Sequence, residues 1–295
     1  MDVSSKTNPK ADHGVVVPLI TPVTADGKLD EHALRRVIDH VIQGGVQGIF
    51  VLGTTGEGPS VPRAMRSRLV HVTVEHAARR ARIYAGISDT SMADSIAAAA
   101  DYLHHGVDVV VAQLPNYYKL TPDEQFEYFA GLARHVQGSM LLYNIPSTVH
   151  MSIDLGVIEH LRAFSNVVGI KDSSGDREML EALVEQYGAD PGFSVLSGSI
   201  KLASYGLRLG ADGYVPSTAN IEPALCSRLY ASSLKGDWSL MEQLQAELNE
   251  ATGRFTFDDG IGPSIARLKR MMAHRGLCGP KTFPPIEEAD ESFGQ

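Results

Sequence analysis

The sequence predicts an α/β chain closed into one (β/α)8 barrel, the TIM-barrel architecture, with additional C-terminal helices. Three observations carry that expectation. Short runs of Val, Ile and Leu, each ending near Gly, Pro, Ser or Thr, recur along the chain. A stretch with helical spacing of apolar residues follows each of them. The runs are continuously apolar and lack period-two alternation, the pattern of parallel strands covered on both faces. Eight such units over roughly 235 residues match the size of a closed barrel. An open doubly wound sheet is the rival. Gly53-Thr54-Thr55-Gly56-Glu57-Gly58 does not read GxGxxG, so the usual dinucleotide fingerprint of that rival is missing.

Taken in order, residues 15–20 form the first run, Thr21-Pro22 closes it, and a helix is expected over 30–42. The second run, 48–52, enters the Gly53 to Gly58 turn, and a helix follows over 62–78. Runs at 83–86 and 107–112 are the third and fourth, 140–143 and 167–171 the fifth and sixth. Those at 193–196 and 213–215 complete eight. The expected organisation is a flexible segment over 1–12, the barrel over 13–235, and C-terminal helices and tail over 236–295 packed beside it. Two helices belong to that last part, at 237–251 and 263–274, and the last dozen residues, with Pro284-Pro285, read as a loose tail.

Composition narrows the function. The chain has 295 residues, 43% of them hydrophobic, enough for one large core. No apolar run approaches the ~18 to 20 residues that span a bilayer, and the polar N-terminus has no signal-peptide core. Cytoplasmic residence with no membrane partner is the resulting expectation. The net charge is −9 with no basic block, which argues against nucleic acid as a partner. Cys226 and Cys278 form no CxxC pair and read as reduced thiols, at least one of them buried. No HExxH, P-loop or GxSxG motif occurs, so metal, nucleotide and serine-hydrolase chemistries lose ground.

In a barrel, function sits where strands end and βα loops begin. That rule selects Thr21, Thr54, Thr55, Ser88, Tyr117, Tyr118, Tyr143, Asn144, Lys171, Gly198 and Ser217 with their neighbours. Lys171 stands out among nine lysines: the other eight lie in polar stretches, helices or near loops, whereas Lys171 closes the apolar run Val167-Val168-Gly169-Ile170. Desolvation in general favours a neutral amine, the form that condenses with a ketone to give a Schiff base. The competing reading is a strand-end lysine paired with Asp172 or reaching solvent. Tyr143 ends the preceding run, and its phenol can relay protons in the same cavity; the plainer alternative is a core tyrosine. The Gly53 to Glu57 turn offers N–H groups and hydroxyls suited to a carboxylate, or is simply a turn. Paired Tyr117 and Tyr118 suggest an interface.

Together these landmarks resemble the class I, pyruvate-dependent aldolases typified by dihydrodipicolinate synthase and N-acetylneuraminate lyase. The resemblance runs from about Gly14 to the C-terminal helices. It rests on Gly53-Thr54-Thr55-Gly56-Glu57, Pro115-Asn116-Tyr117-Tyr118, Tyr143-Asn144-Ile145-Pro146 and Gly169-Ile170-Lys171-Asp172-Ser173-Ser174-Gly175-Asp176. Gly210-Ala211-Asp212-Gly213 with Ser217-Thr218-Ala219-Asn220 completes it. It implies Lys171 as the Schiff-base lysine and Tyr143 as the acid/base phenol. Thr55 and the local backbone would hold the 2-oxo acid carboxylate, and Thr54 would link Tyr143 to a tyrosine from a partner subunit, Tyr117 by the Pro-x-Tyr match with Tyr118 second. Gly198 and Val215 would line the pocket. The implied assembly is a homotetramer, a dimer of dimers, working on pyruvate and an aldehyde with no cofactor beyond the imine on Lys171 and no metal.

Substrate identity departs from both named types. Thr148 stands where the synthase carries a carboxylate-binding arginine, and threonine cannot replace a bidentate guanidinium. Ile200-Lys201 stand where the neuraminate lyases carry Asp-Glu, making Lys201 and His150 candidates for the distal end of an acidic substrate. The expectation is an aldolase for a 4-hydroxy-2-oxo acid or 2-keto-3-deoxy sugar acid, with dehydration as a variant. Its alternatives are the synthase, which condenses pyruvate with aspartate semialdehyde, a metal-dependent barrel enzyme and a non-catalytic barrel scaffold.

Overall fold

All eight apolar runs become parallel strands, hydrogen-bonded in chain order from β1 round to β8, and β8 pairs back with β1. The computed structural model describes residues 10–294. The strands are β1 Gly14–Pro18, β2 Gly48–Val51, β3 Arg82–Gly86, β4 Val109–Gln113, β5 Ser139–Asn144, β6 Val167–Asp172, β7 Ser194–Ser197 and β8 Gly213–Tyr214. They are buried along nearly their whole length, which is why the runs carry no polar alternation.

The outer ring comprises α1 Glu31–Gln43, α2 Arg63–Ala77, α3 Met92–His104, α4 Pro122–His135, α5 Pro146–Val149 and α6 Leu155–Leu161. It continues with α7 Arg177–Tyr187, α8 Ala203–Leu209 and α9 Pro223–Leu234. α10 Trp238–Gly253 and α11 Ile261–His274 are the two additional helices. The sequence marks several starts. Asp30 caps α1 by accepting from the Ala33 N–H at 2.9 Å. Thr121 and Glu124 form a reciprocal capping box on α4. Asp176, inside the Lys171 signature, caps α7. None of the described helices is long and apolar enough to cross a membrane.

Closure between β8 and β1 demands glycine. A Cβ on Gly213 would meet the Gly14 carbonyl oxygen at 2.1 Å. At the opposite, C-terminal rim Asn220 binds the two ends together: its Nδ2 donates to the Pro18 carbonyl and its Oδ1 accepts from the Ile20 N–H. The Ser217-Thr218-Ala219-Asn220 signature is thus largely a closing device.

Two expectations about the termini change. Residues 1–9 of the expected flexible segment lie outside the described residues, but Lys10 and Asp12 are held. The Lys10 ammonium donates to the Tyr187 and Phe193 carbonyls and pairs with Asp212 at 3.0 Å. Asp12 is buried and accepts from Arg82 Nε and the Tyr84 hydroxyl. At the other end, the tail expected to be loose is tied to α11. Arg270 donates to the Ala289 carbonyl, the His274 ring pairs with the Phe293 carbonyl, and Phe293 packs edge-on near Phe257. The acids and prolines of that segment suggested freedom, but backbone carbonyls and one aromatic ring decide its position.

Candidate active site

β5 and β6 lie side by side with Tyr143 opposite Lys171 and Asn144 opposite Asp172. Successive strand residues point to opposite faces, so Tyr143 and Lys171 share one face, and Asn144 and Asp172 the other. The second pair is fully engaged. Asn144 Nδ2 donates to Asp172 at 2.7 Å, and the Ser174 hydroxyl donates to its other oxygen at 2.9 Å. Burial raises the Asp172 carboxyl above the usual carboxylate value, and these donors oppose the rise. Asp172 therefore is not the partner of Lys171.

Lys171 itself is 4% exposed and has no hydrogen-bond or ion-pair partner among the described residues. Its ammonium nitrogen lies 3.8 Å from the centre of the Tyr143 ring and 5.1 Å from that of Phe50. The Tyr143 hydroxyl is 3.2 Å from Thr54 Oγ1. An amine held between two aromatic faces, without a carboxylate, is exposed to whatever enters the barrel mouth.

The turn after β2 is built by tight backbone contacts. Leu52 and Glu57 adopt left-handed conformations, with φ of 58° and 55°. A Cβ on Gly58 would lie 2.0 Å from the Leu52 carbonyl oxygen, so the turn can fold back only with glycine there. Thr21 Oγ1 donates to the Gly56 carbonyl at 2.7 Å and fixes it to the end of β1. The backbone N–H groups of Thr54 and Thr55 have no acceptor among the described residues. They are available to an anion.

One cavity of about 360 Å³ at the C-terminal ends of the strands is bordered by Lys171, Tyr143, Thr54, Thr55, Gly198 and Val215. Six positions given roles by the resemblance thus meet in one place, and Ser217 from the strand-end list borders it as well. A much smaller void of about 30 Å³ also borders Thr54 and Tyr143, between Arg66, Ser88 and Gln113. The remaining predicted positions lie elsewhere. Tyr117 is 78% exposed and stands edge-on to Tyr118, their ring centres 4.9 Å apart. Pro146 starts the short helix α5, and the Thr148 hydroxyl donates back to the Ile145 carbonyl at 3.2 Å rather than into the cavity. Lys201 and His150 are exposed and do not border it.

The C-terminal part supplies what the strand-end rule missed. Phe255, Phe257, Ile261, Ile265 and Leu268 form the outer wall of the same cavity. Behind the Thr54 turn, the Glu57 carboxylate forms a buried ion pair with Lys269 and accepts from the Phe283 N–H at 2.7 Å. Burial pushes the Lys269 ammonium below the usual lysine value, and Glu57 opposes the shift. The spacing Ile265, Lys269, Met272 places this lysine on the apolar face of α11, a signal present in the sequence.

Comparison with known proteins agrees with this arrangement. The dihydrodipicolinate synthetase family model matches residues 11–294. The 4-hydroxy-tetrahydrodipicolinate synthase of Methanothermobacter thermautotrophicus is 30% identical over 268 residues, covering 90% of this chain and 94% of that protein. The dihydrodipicolinate synthase structure from Bacteroides thetaiotaomicron superposes with a TM-score of 0.90 at 29% identity, covering 96% of each chain. A prophage protein of the dihydrodipicolinic acid synthase family from E. coli K12, solved in complex with pyruvate, has a TM-score of 0.90 at 26% identity. It covers 96% of this chain and 95% of its own. A match along nearly the whole chain, on a barrel whose mouth gathers the lysine, the phenol and the threonine turn, makes this chain an enzyme of the dihydrodipicolinate synthetase family, a lyase.

Proposed function

We propose that the chain forms a Schiff base between Lys171 and pyruvate and joins the resulting enamine to an aldehyde, or cleaves the product in reverse. The observation that carries this reading is the partnerless Lys171 amine facing a cavity beside a phenol. The amine adds to C2 of pyruvate, and loss of water gives a protonated imine. Loss of a C3 proton gives the enamine, whose C3 bonds to the aldehyde carbon while the aldehyde oxygen takes up a proton. Hydrolysis then releases a 4-hydroxy-2-oxo acid and restores the amine. Tyr143 carries these protons, a reading supported by its contact with Thr54 and its ring beside Lys171, and the Thr54 and Thr55 amides suit the pyruvate carboxylate. The imine is the electron sink, so the cycle as written uses no cofactor.

A second reading, condensation of pyruvate with aspartate semialdehyde, is supported by the name of the curated relatives. The cavity wall counts against it, because among the described residues no arginine borders the space where a second carboxylate would lie. By family resemblance the working form is a cytoplasmic homotetramer in which Tyr117 reaches the site of a partner subunit.

Borohydride trapping with pyruvate, followed by tryptic mapping, tests the reaction class. A reduced adduct on Lys171 blocks cleavage there and joins the peptides 163–171 and 172–177. Lys171→Ala should abolish both the adduct and turnover while circular dichroism stays unchanged. Substantial pyruvate-dependent activity in that variant would overturn the assignment.

A further inference from the structure

The outer half of the cavity differs in chemistry from its floor. Its wall is built by the α10–α11 connection and the first three turns of α11, through Phe255, Phe257, Ile261, Ile265 and Leu268. Ile145 and Ile200 face it from the strand ends. Lys171 is the one charged side chain that borders the cavity among the described residues. Among the described residues no Asp, Glu, His, Arg, Asn or Gln does so. Hydroxyls border the floor through Tyr143, Thr54, Thr55, Ser173 and Ser217 at the strand ends, whereas the wall beyond adds only Thr256 and Ser264, whose Oγ already donates to the Gly260 carbonyl at 2.9 Å.

The guanidinium of α11 behind this wall is committed elsewhere. Arg267 is 8% exposed, makes a bidentate pair with Asp259 at 2.8 and 2.6 Å, and donates to the Phe255 carbonyl. It therefore shapes the wall from behind instead of meeting substrate. Its guanidinium carbon lies 4.2 Å from the centre of the Phe257 ring and so helps hold that ring at the mouth. Phe257 and Ile261 stay 49% and 40% exposed, beside the opening of the cavity. Large apolar side chains left open to water next to a reactive amine mark a surface that a ligand covers.

A polyhydroxylated aldehyde would lose hydration against the Phe257 and Ile261 side of the wall, away from the hydroxyls of the floor, and a second carboxylate would find no cation there. An apolar aldehyde loses nothing and gains burial. We propose that the acceptor aldehyde is aromatic or comparably apolar, its ring seated against Phe257 and Ile261, with the 4-aryl-4-hydroxy-2-oxo acid as the condensation product. This rests on the Schiff-base reading above. No redox step is needed: the new bond joins C3 of pyruvate to the aldehyde carbon, and the aldehyde oxygen becomes the 4-hydroxyl.

The test compares benzaldehyde, glyceraldehyde and aspartate semialdehyde as acceptors with pyruvate and the full chain, alongside borohydride trapping of the same preparation. The expected result is a kcat/KM for benzaldehyde at least about ten-fold above either polar acceptor. Phe257→Ser should then lower the benzaldehyde value by about ten-fold, the scale of losing an aromatic contact. It should also narrow the gap to glyceraldehyde. A Lys171 adduct together with preference for a polar acceptor overturns the apolar acceptor and leaves the Schiff base standing. Absence of any adduct overturns both. Equal loss of all three acceptors in Phe257→Ser removes Phe257 from acceptor selection.

Discussion

Tyr143 meets three neighbours that between them define its task. Its ring lies against the Lys171 amine, packs edge-on to Phe50 with centres 6.2 Å apart, and its hydroxyl reaches Thr54. Tyr143→Phe keeps the first two contacts and removes the third. The expected outcome is a fall in kcat of ~10²-fold or more, the usual contribution of a general acid/base; an unchanged kcat would remove Tyr143 from proton transfer. The cysteines make a contrasting case. Burial pushes the Cys226 thiol up to about 12 and that of Cys278 up to about 11, from an ordinary 9.0. At pH 8 the Cys226 thiolate fraction is then about one in ten thousand. Both residues should resist iodoacetamide in the folded protein and react readily in guanidinium. The sign of the linkage follows: folding holds these thiol protons, so their contribution to stability is complete below pH 9 and declines toward pH 12. Rapid labelling of native protein at pH 8 would contradict this burial.

At the scale of elements, α11 does two things for the barrel mouth. Its first turns supply part of the apolar wall, and Lys269, farther along, anchors the Thr54 turn through Glu57. Lys269 also donates to the Lys281 carbonyl at 2.7 Å, and Glu57 accepts from Phe283, so three segments converge on one buried charge pair. Removing one member leaves the other charged and unpaired in the interior. Glu57→Gln or Lys269→Met should each lower stability by about 3–5 kcal/mol, read from urea midpoints at constant m-value. The double substitution should recover much of that loss, because no unpaired charge remains. Single variants costing under about 1 kcal/mol would show that the pair does not anchor the turn.

For the whole molecule, the N-terminal segment and the C-terminal tail fasten opposite ends of the barrel. Lys10 and Asp12 hold the base near β7, β8 and β3, while residues 281–283 hold the turn after β2 at the mouth. What this chain leaves uncovered is the Tyr117–Tyr118 pair, 78% and 72% exposed. Tyrosines are enriched at interfaces because they combine an apolar ring with a polar tip. If the chain assembles as proposed, Tyr117→Ser with Tyr118→Ser should shift sedimentation velocity profiles toward smaller species than the wild type gives. An unchanged sedimentation coefficient would place the interface elsewhere.

Which residues gather at the floor and the order of the elements were legible from the chain alone. Continuous apolar runs announced buried parallel strands, helical spacing of apolar residues announced helices, and a lysine closing one such run announced itself because strand ends in a barrel all face one mouth. What Lys171 does not pair with was not legible. Asn144 and Ser174 claim Asp172 on the far face, a consequence of β5–β6 register. Thr148, Lys201 and His150 were choices implied by the resemblance, yet the Thr148 hydroxyl turns back to Ile145 and the other two are exposed away from the cavity. The apolar acceptor wall came from Phe255, Phe257 and α11, more than 80 residues beyond Lys171 and outside any βα unit. Local patterns dictate which residues share a strand or a helix face, because period and capping are short-range properties. Which faces then meet is set by closure of the barrel and by where its last helices come to rest, and that only the tertiary structure decided.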